Sequence, residues 1–140
     1  MIISTKGHYA LRVMVDLAEH PGEGYIPLQE IADRQQISKE YLSSILKLLV
    51  EDGQLDSLRG KGGGYKLRHP VESYTAGQIL LPVEGDLAPV TCVQDNHQCP
   101  NSIHCRSYSM WHELDTLISD YLNSVRLTDF LPNGRVHDPI

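Results

Sequence analysis

The chain has 140 residues, a formal charge of −6 and a hydrophobic share of 41%, enough for one domain with a modest core. The start, MIISTKGHYA, has no long apolar run, and no stretch reaches the roughly 18 apolar residues of a membrane helix. We therefore expect no secretory signal, no membrane association and a cytoplasmic protein. The acidic total argues weakly against nucleic-acid binding, but residues 1–70 are neutral and residues 71–140 carry the whole net charge, so any basic surface belongs to the first half.

Three helices are predicted before Gly53. Residues 5–20 form the first, which ends at Pro21-Gly22; a short one lies in IPLQEIADRQQ; the third, KEYLSSILKLLVEDG, begins after Ser38, a good N-cap. Their apolar stripes are Ala10, Leu11, Met14, Leu17 and Ala18; Leu28, Ile31 and Ala32; and Leu42, Ile45, Leu46 and Leu49. Two helices joined by a short turn favour a helix-turn-helix, although any three-helix core gives similar stripes.

A glycine-rich hairpin is predicted next, in LDSLRGKGGGYKL. Its strands are Leu55–Arg59 and Tyr65–Leu67, and four glycines lie between them. Glycines permit close approach to a phosphate backbone, and the surrounding cations Arg59, Lys61, Lys66 and Arg68 neutralise it. Because the hairpin directly follows a helix-turn-helix pattern, we favour a DNA-binding wing over a flexible tip. The sequence GKGGG lacks the P-loop pattern.

The second half predicts a short helix over 75–85, interrupted and kinked by Pro82, then a polar segment and a long helix over roughly 106–125. The long helix has apolar residues at coiled-coil spacing, namely Trp111, Leu114, Ile118, Tyr121 and Val125. This stripe either packs on its own domain or pairs with a second subunit. We favour the pairing, since a two-fold dimer would place two recognition helices and two wings against a palindromic site.

All three cysteines lie within fifteen residues, spaced Cys92-x6-Cys99-x5-Cys105. Neither gap has the short knuckle that zinc prefers, whereas three thiolates on a turn-rich loop suit an iron–sulfur cluster. Zinc with His97, His104 or His112 as fourth ligand, a thiol redox switch and three free thiols remain alternatives. No oxyanion-hole motif accompanies Cys105 and His104, so we do not expect an enzyme.

Several motifs together resemble the Rrf2 type of winged-helix transcription regulator, in particular its IscR- and NsrR-like members. STKGHYA is similar to the family's STKGRYA, RGKGGGYKL to R-G-x-x-G-G-Y-x-L, and VEGDLAPVTC to L-E-G-x-x-x-P-x-x-C. The resemblance covers about residues 1–131. It implies a homodimer on palindromic promoter DNA and a 2Fe–2S or 4Fe–4S cluster, 2Fe–2S being favoured, that senses iron–sulfur supply, redox state or nitric oxide.

The resemblance also implies a ligand set. Cys92, Cys99 and Cys105 fall on the cluster positions. Tyr108 stands where one regulator has a histidine ligand, so His8, on the first helix of the partner subunit, is the first candidate for the fourth ligand, followed by His104. Relatives often carry a carboxylate in the third helix where this chain has Ser43, so their operator preference is not expected to carry over.

The complete expectation is a mainly α protein with a small β-hairpin wing, a winged helix-turn-helix plus a long dimerisation helix. Residues 1–80 form the DNA-binding domain, 81–131 the cysteine loop and dimerisation helix, and 132–140 a tail. DNA contacts are assigned to Lys39, Tyr41, Ser43, Ser44, Lys47, Arg59 and Lys61. The alternatives are zinc or a thiol switch in place of the cluster, or a winged-helix module that binds proteins.

Overall fold

The computed structural model describes residues 3–22, 24–94, 104–132 and 134. Its order of elements confirms the predicted fold class: three helices, a hairpin, a short helix and a long helix. The bounds are Thr5–Glu19 (α1), Leu28–Gln35 (α2), Lys39–Glu51 (α3), Leu55–Leu58 (β1), Gly64–Leu67 (β2), Ala76–Glu84 (α4) and Tyr108–Ser124 (α5), with 3₁₀ turns at Val71–Ser73, Thr91–Val93 and Leu127–Phe130.

The start of α1 is held by a cap and by the end of α4. Ser4 Oγ accepts a hydrogen bond from Gly7 N at 3.2 Å, satisfying one of the amides that a helix start leaves free. Ser4 N and Oγ donate in turn to Glu84 Oε1, at 2.9 and 2.8 Å. A Cβ at Gly7 would overlap that oxygen, so glycine allows α4 to end against α1.

The core lies between α1, α2, α3 and α4. The predicted stripes supply most of it, since Met14, Ile31, Leu42 and Ile45 are completely buried. Leu11 and Leu28 are only partly buried at its margin. The helical spacing of the apolar residues therefore identified most of each buried face, but it omitted Val13, which is completely buried.

A buried ion pair joins α1 to α2, and the apolar pattern gave no sign of it. Arg34 Nη2 lies 2.6 Å from Asp16 Oδ1, and Asp16 is only 2% exposed. Gln35 Nε2 donates to Asp16 Oδ2 at 2.7 Å. These bonds fix the angle at which the helix-turn-helix leaves α1.

The wing is a two-stranded antiparallel hairpin in which Leu55 pairs with Leu67 and Leu58 with Gly64. β1 ends one residue before the predicted Arg59, and β2 begins one residue before the predicted Tyr65. A further bridge connects Ile26, just before α2, to Tyr65, with N···O distances of 2.9 Å in both directions. The wing is thus attached to the helix-turn-helix by backbone hydrogen bonds.

The two helices of the second half differ in burial. α4 packs on α1 and α3 and continues through Pro82 to Glu84, so the predicted interruption does not end it. α5 packs on α4 and on the 3₁₀ turn at Thr91–Val93, yet none of its residues is buried. In the described part of the chain, no helix is both long and apolar enough to cross a bilayer.

Candidate nucleic-acid interface and cysteine segment

The outer face of α3 presents small polar and basic side chains. Lys39, Ser43, Ser44 and Lys47 are exposed, because Ile45, Leu46 and Leu49 take the inner face. Ser44 Oγ donates to Tyr41 O at 2.6 Å, and Lys47 Nζ lies 4.0 Å from Glu51 Oε1. Four of the five predicted contacts on α3 therefore share an accessible surface.

Tyr41 lies differently from the other four. Its side chain is half-buried, and its ring meets the ring of Tyr9 edge-on, with centroids 5.9 Å apart. Tyr9 also lies under the guanidinium of Arg12, 5.0 Å from the ring centroid. Much of Tyr41 is thus engaged in holding α3 against α1.

A groove of about 650 Å³ runs between α3 and the wing. Lys39, Ser43 and Lys47 line it from α3, and Arg59 with the following glycines lines it from the wing. Lys61 is exposed at the wing tip and is not among the lining residues. The structure therefore brings predicted residues from two separate elements around one concave, basic surface.

The other two wing cations are engaged within the fold. Lys66 Nζ lies 4.7 Å from the ring centroid of Tyr25, and Arg68 Nε donates to Asp56 Oδ1 at 2.8 Å. They hold the hairpin, while Arg59 and Lys61 remain exposed beyond it. Arg59 and Lys61, the two predicted wing contacts, thus lie at the loop end of the hairpin, and their contact with DNA stays a prediction.

Part of the groove is lined by residues that are not among the predicted contacts. The first turn of α2 contributes Leu28 and Gln29, and β1 contributes Ser57 and Leu58. Leu58 is 48% exposed, which is high for a large apolar residue in a strand. Only its position directly before the predicted loop could have indicated it.

Two of the three cysteines lie in the described residues, and both are free thiols. Cys92 is half-buried in the turn at Thr91–Val93, and Cys105 is exposed three residues before α5. Cys99 and His97 lie outside the described residues. Within the residues that are described, no group of three or more His, Cys, Asp or Glu side chains is placed to hold a metal ion.

Cys105 is predisposed to ionise. Hydrogen bonds from Ser107 hold the pKa of its thiol below the ordinary value, and the Sγ–Oγ distance is 3.4 Å. Metal centres bind thiolates, so the chemistry of this donor fits an iron–sulfur ligand. The free, half-buried thiol of Cys92 is compatible with the same use.

The candidate histidines that the structure describes are all accessible. His8 is exposed on the first turns of α1, His104 is exposed beside Cys105, and His112 lies on α5 with its ring centroid 6.2 Å from that of Tyr108. None of these three side chains is enclosed by the fold.

A helix-turn-helix followed by an attached hairpin, with a basic groove between them, defines the winged-helix class of transcription regulator. The chain belongs to the Rrf2 family, which is described as iron-dependent transcriptional regulators. The model of this family matches residues 3–133. It is therefore a transcription regulator and not an enzyme.

The relatives and solved structures agree with this assignment. The HTH-type transcriptional regulators IscR of Photobacterium profundum and Pectobacterium carotovorum are 31% and 33% identical over 138 residues, which is 99% of this chain and 80% and 84% of theirs. CymR, the global cysteine regulator of B. subtilis, superposes with a TM-score of 0.74 at 32% identity, covering 93% of this chain and 95% of its own. IscR of T. potens superposes with a TM-score of 0.74 at 30% identity, covering 100% of this chain and 93% of its own.

Proposed function

We propose that this chain binds double-stranded promoter DNA through α3 and the wing. The groove between them carries the proposal, because its cations come from both elements and face one concave surface. Lys39, Lys47 and Arg59 would neutralise phosphates, and the hydroxyls of Ser43 and Ser44 would meet base edges in the major groove. Arg59 and Lys61 would reach phosphates or the minor groove from the wing.

The proposed active form is a homodimer on a palindromic site. α5 presents an exposed apolar stripe whose members are all at least 37% exposed: Met110, Leu114, Leu117 and Tyr121. An exposed apolar stripe of this length favours a protein partner, and a second copy of the same helix would be complementary to it. A two-fold axis through α5 would pair two α3 helices and two wings.

The segment of residues 92–105 is proposed to hold an iron–sulfur cluster. Cys92, Cys99 and Cys105 would be the thiolate ligands and His8 of the partner subunit the fourth, with 2Fe–2S favoured over 4Fe–4S. When bound, such a cluster supplies a centre that responds to iron–sulfur supply, redox state or nitric oxide. The donor chemistry at Cys105 supports this choice.

The proposed division of labour follows the order of the chain. Residues 1–80 read DNA, and residues 81–131 sense and dimerise, with 132–140 as a tail. Gain or loss of the cluster in residues 92–105 would shift the start of α5, and with it the relative position of the two DNA-binding domains in the dimer. We propose a cytoplasmic location, because the named relatives are bacterial and bacterial promoters lie in the cytoplasm.

The DNA-binding part is tested with Arg59→Ala. A dimer loses two phosphate contacts, so affinity should fall on every sequence and the slope of log affinity against log salt should become shallower by about two units. Fluorescence anisotropy with the chain's own upstream DNA measures both quantities. Arg59→Lys should keep most of the salt slope, and Arg106→Ala, an exposed arginine outside the groove, should leave it unchanged. An unchanged slope for Arg59→Ala would contradict the wing contact.

The cluster is tested on protein purified without oxygen. We expect a brown protein that absorbs between about 320 and 450 nm and releases iron and sulfide in acid. Cys99→Ser should abolish the colour and His8→Ala should weaken it, while His112→Ala, an exposed histidine on α5, should not. Colourless protein with stoichiometric zinc would establish the zinc alternative instead.

A further inference from the structure

Pro82 leaves a backbone acceptor of α4 without its helical donor. Proline has no N–H, so the carbonyl four residues earlier, that of Gln78, receives no intrahelical hydrogen bond from position 82. A partly buried carbonyl normally finds another donor. The identity of that donor links two parts of the molecule.

The donor is Gln54, which follows the end of α3. Its Nε2 donates to Gln78 O at 2.7 Å and to Asp52 Oδ2 at 2.8 Å, so both amide hydrogens are used. The side chain is only 7% exposed. Its Oε1 finds no donor among the residues that the structure describes, which carries a desolvation cost. An apolar side chain of the same size would avoid that cost but could not donate a hydrogen bond. We therefore take the NH₂ group, and not the carbonyl, to be the part of Gln54 that this site requires.

The backbone of Gln54 joins three further segments. Its N–H donates to Leu49 O in α3 at 3.0 Å, and its carbonyl accepts from Arg68 N after β2 at 3.2 Å. The same carbonyl accepts from Tyr74 Oη at 2.6 Å, just before α4. Any movement of Gln54 is therefore shared by α3, the wing and α4.

We infer that Gln54 is a positioning residue that supplies to Gln78 the donor that Pro82 lacks, and thereby fixes α3 and the wing against α4. α4 leads directly to the segment that carries the cysteines, so this bond lies between the proposed sensing and reading parts. The consequence of this bond for operator affinity rests on the proposed DNA binding. The inference that Gln54 Nε2 takes the place of the missing N–H at position 82 does not depend on DNA binding.

A double-mutant cycle with Gln54→Met and Pro82→Ala tests the replacement. Methionine keeps the length of the side chain but has no donor, and alanine restores the backbone N–H at position 82. With Pro82 present, Gln54→Met should lower the folding equilibrium constant about tenfold, which is about 1.4 kcal/mol. In the Pro82→Ala background it should lower that constant about twofold or less, because Gln78 O then has its helical donor. Urea unfolding of cluster-free protein at one fixed concentration measures all four variants.

The control is Asp52→Ala, which removes the other hydrogen bond of the same amide. Its effect should be the same in the wild-type chain and in the Pro82→Ala background. Additive effects of Gln54→Met and Pro82→Ala, or equal coupling for Asp52→Ala, would overturn the inference.

Positioning has its own measurement. At a temperature where every variant is folded, Gln54→Met should weaken operator binding about fivefold, and adding Pro82→Ala should restore it to within about twofold of wild type. A residue that contributed stability alone would leave the affinity of the folded protein unchanged, and that result would refute the positioning role. A wild-type protein that binds no DNA would instead refute the proposed function, and the unfolding cycle would still decide the donor replacement.

Discussion

At the scale of single residues, Asp16 determines how the first two helices meet. Its carboxylate accepts from Arg34 and Gln35, and His20 Nδ1 lies 3.7 Å from it. Burial alone would raise the pKa of Asp16, but these hydrogen bonds and positive charges outweigh burial and lower it. The pair is thus satisfied on both sides, as a buried charge must be.

Asp16→Asn should lower the free energy of unfolding by about 2 kcal/mol at pH 7. This is less than for a fully enclosed pair, because Arg34 is a quarter exposed. A lowered pKa in the folded state means that the contribution is present above the ordinary pKa of 3.8 and is lost as the pH falls through the folded value. The gap between wild type and variant in urea unfolding should therefore shrink below that pH. Asp33→Asn, an exposed carboxylate that accepts from Gln29, serves as control; a gap independent of pH would contradict the assignment.

At the scale of elements, the wing owes its position to one close approach. Gly64 has φ of +144°, and a Cβ there would overlap the carbonyl oxygen of Ile26. The neighbouring bridge between Ile26 and Tyr65 needs this proximity. The glycine run thus fixes the hairpin against the helix-turn-helix as well as freeing its tip.

Gly64→Ala should lower the free energy of unfolding by about 2 kcal/mol, since the residue combines a positive φ with a backbone overlap. It should also weaken DNA binding, because Arg59 moves with the hairpin. Gly62→Ala measures the cost of a positive φ without a steric overlap, since Gly62 has φ of +77° and no atom near the position of a Cβ. This substitution should cost about 1 kcal/mol. Circular dichroism melts and anisotropy titrations compare the two, and equal effects would mean that the overlap is relieved without moving the wing.

At the scale of the whole molecule, α5 has apolar residues on two sides that differ in exposure. Trp111 and Ile118 are half-buried, and Val125 is buried just beyond the end of the helix. Leu114 and Tyr121 are exposed and lie with Met110 and Leu117. The predicted five-residue seam is therefore divided: Trp111, Ile118 and Val125 are at least partly covered within the chain, whereas Leu114 and Tyr121 stay exposed.

Leu117→Glu should convert a dimer to a monomer, because it places a charge in the centre of the exposed stripe, where Leu117 is 60% exposed. Sedimentation velocity measures the change in mass. Thr116→Glu adds the same charge on the polar side of α5 and should leave the dimer intact. If Leu117→Glu also leaves it intact, the subunit contact lies elsewhere.

The sequence alone determined the features that depend on neighbours along the chain. Helical spacing located most of the buried faces of α1 to α3, Ser38 was recognised as the N-cap of α3, and the glycine loop predicted the hairpin. Lys39, Ser43, Lys47 and Arg59 were therefore named from the sequence before the groove that they line was known, and their contact with DNA stays a prediction. The tertiary structure decided which side chains meet across elements: Arg34 with Asp16, 18 residues apart, and Gln54 with Gln78, 24 apart. It also decided which side of α5 is covered. The reason is physical: periodicity shows which face of a helix is apolar, whereas the partner of a polar group depends on where separate helices cross.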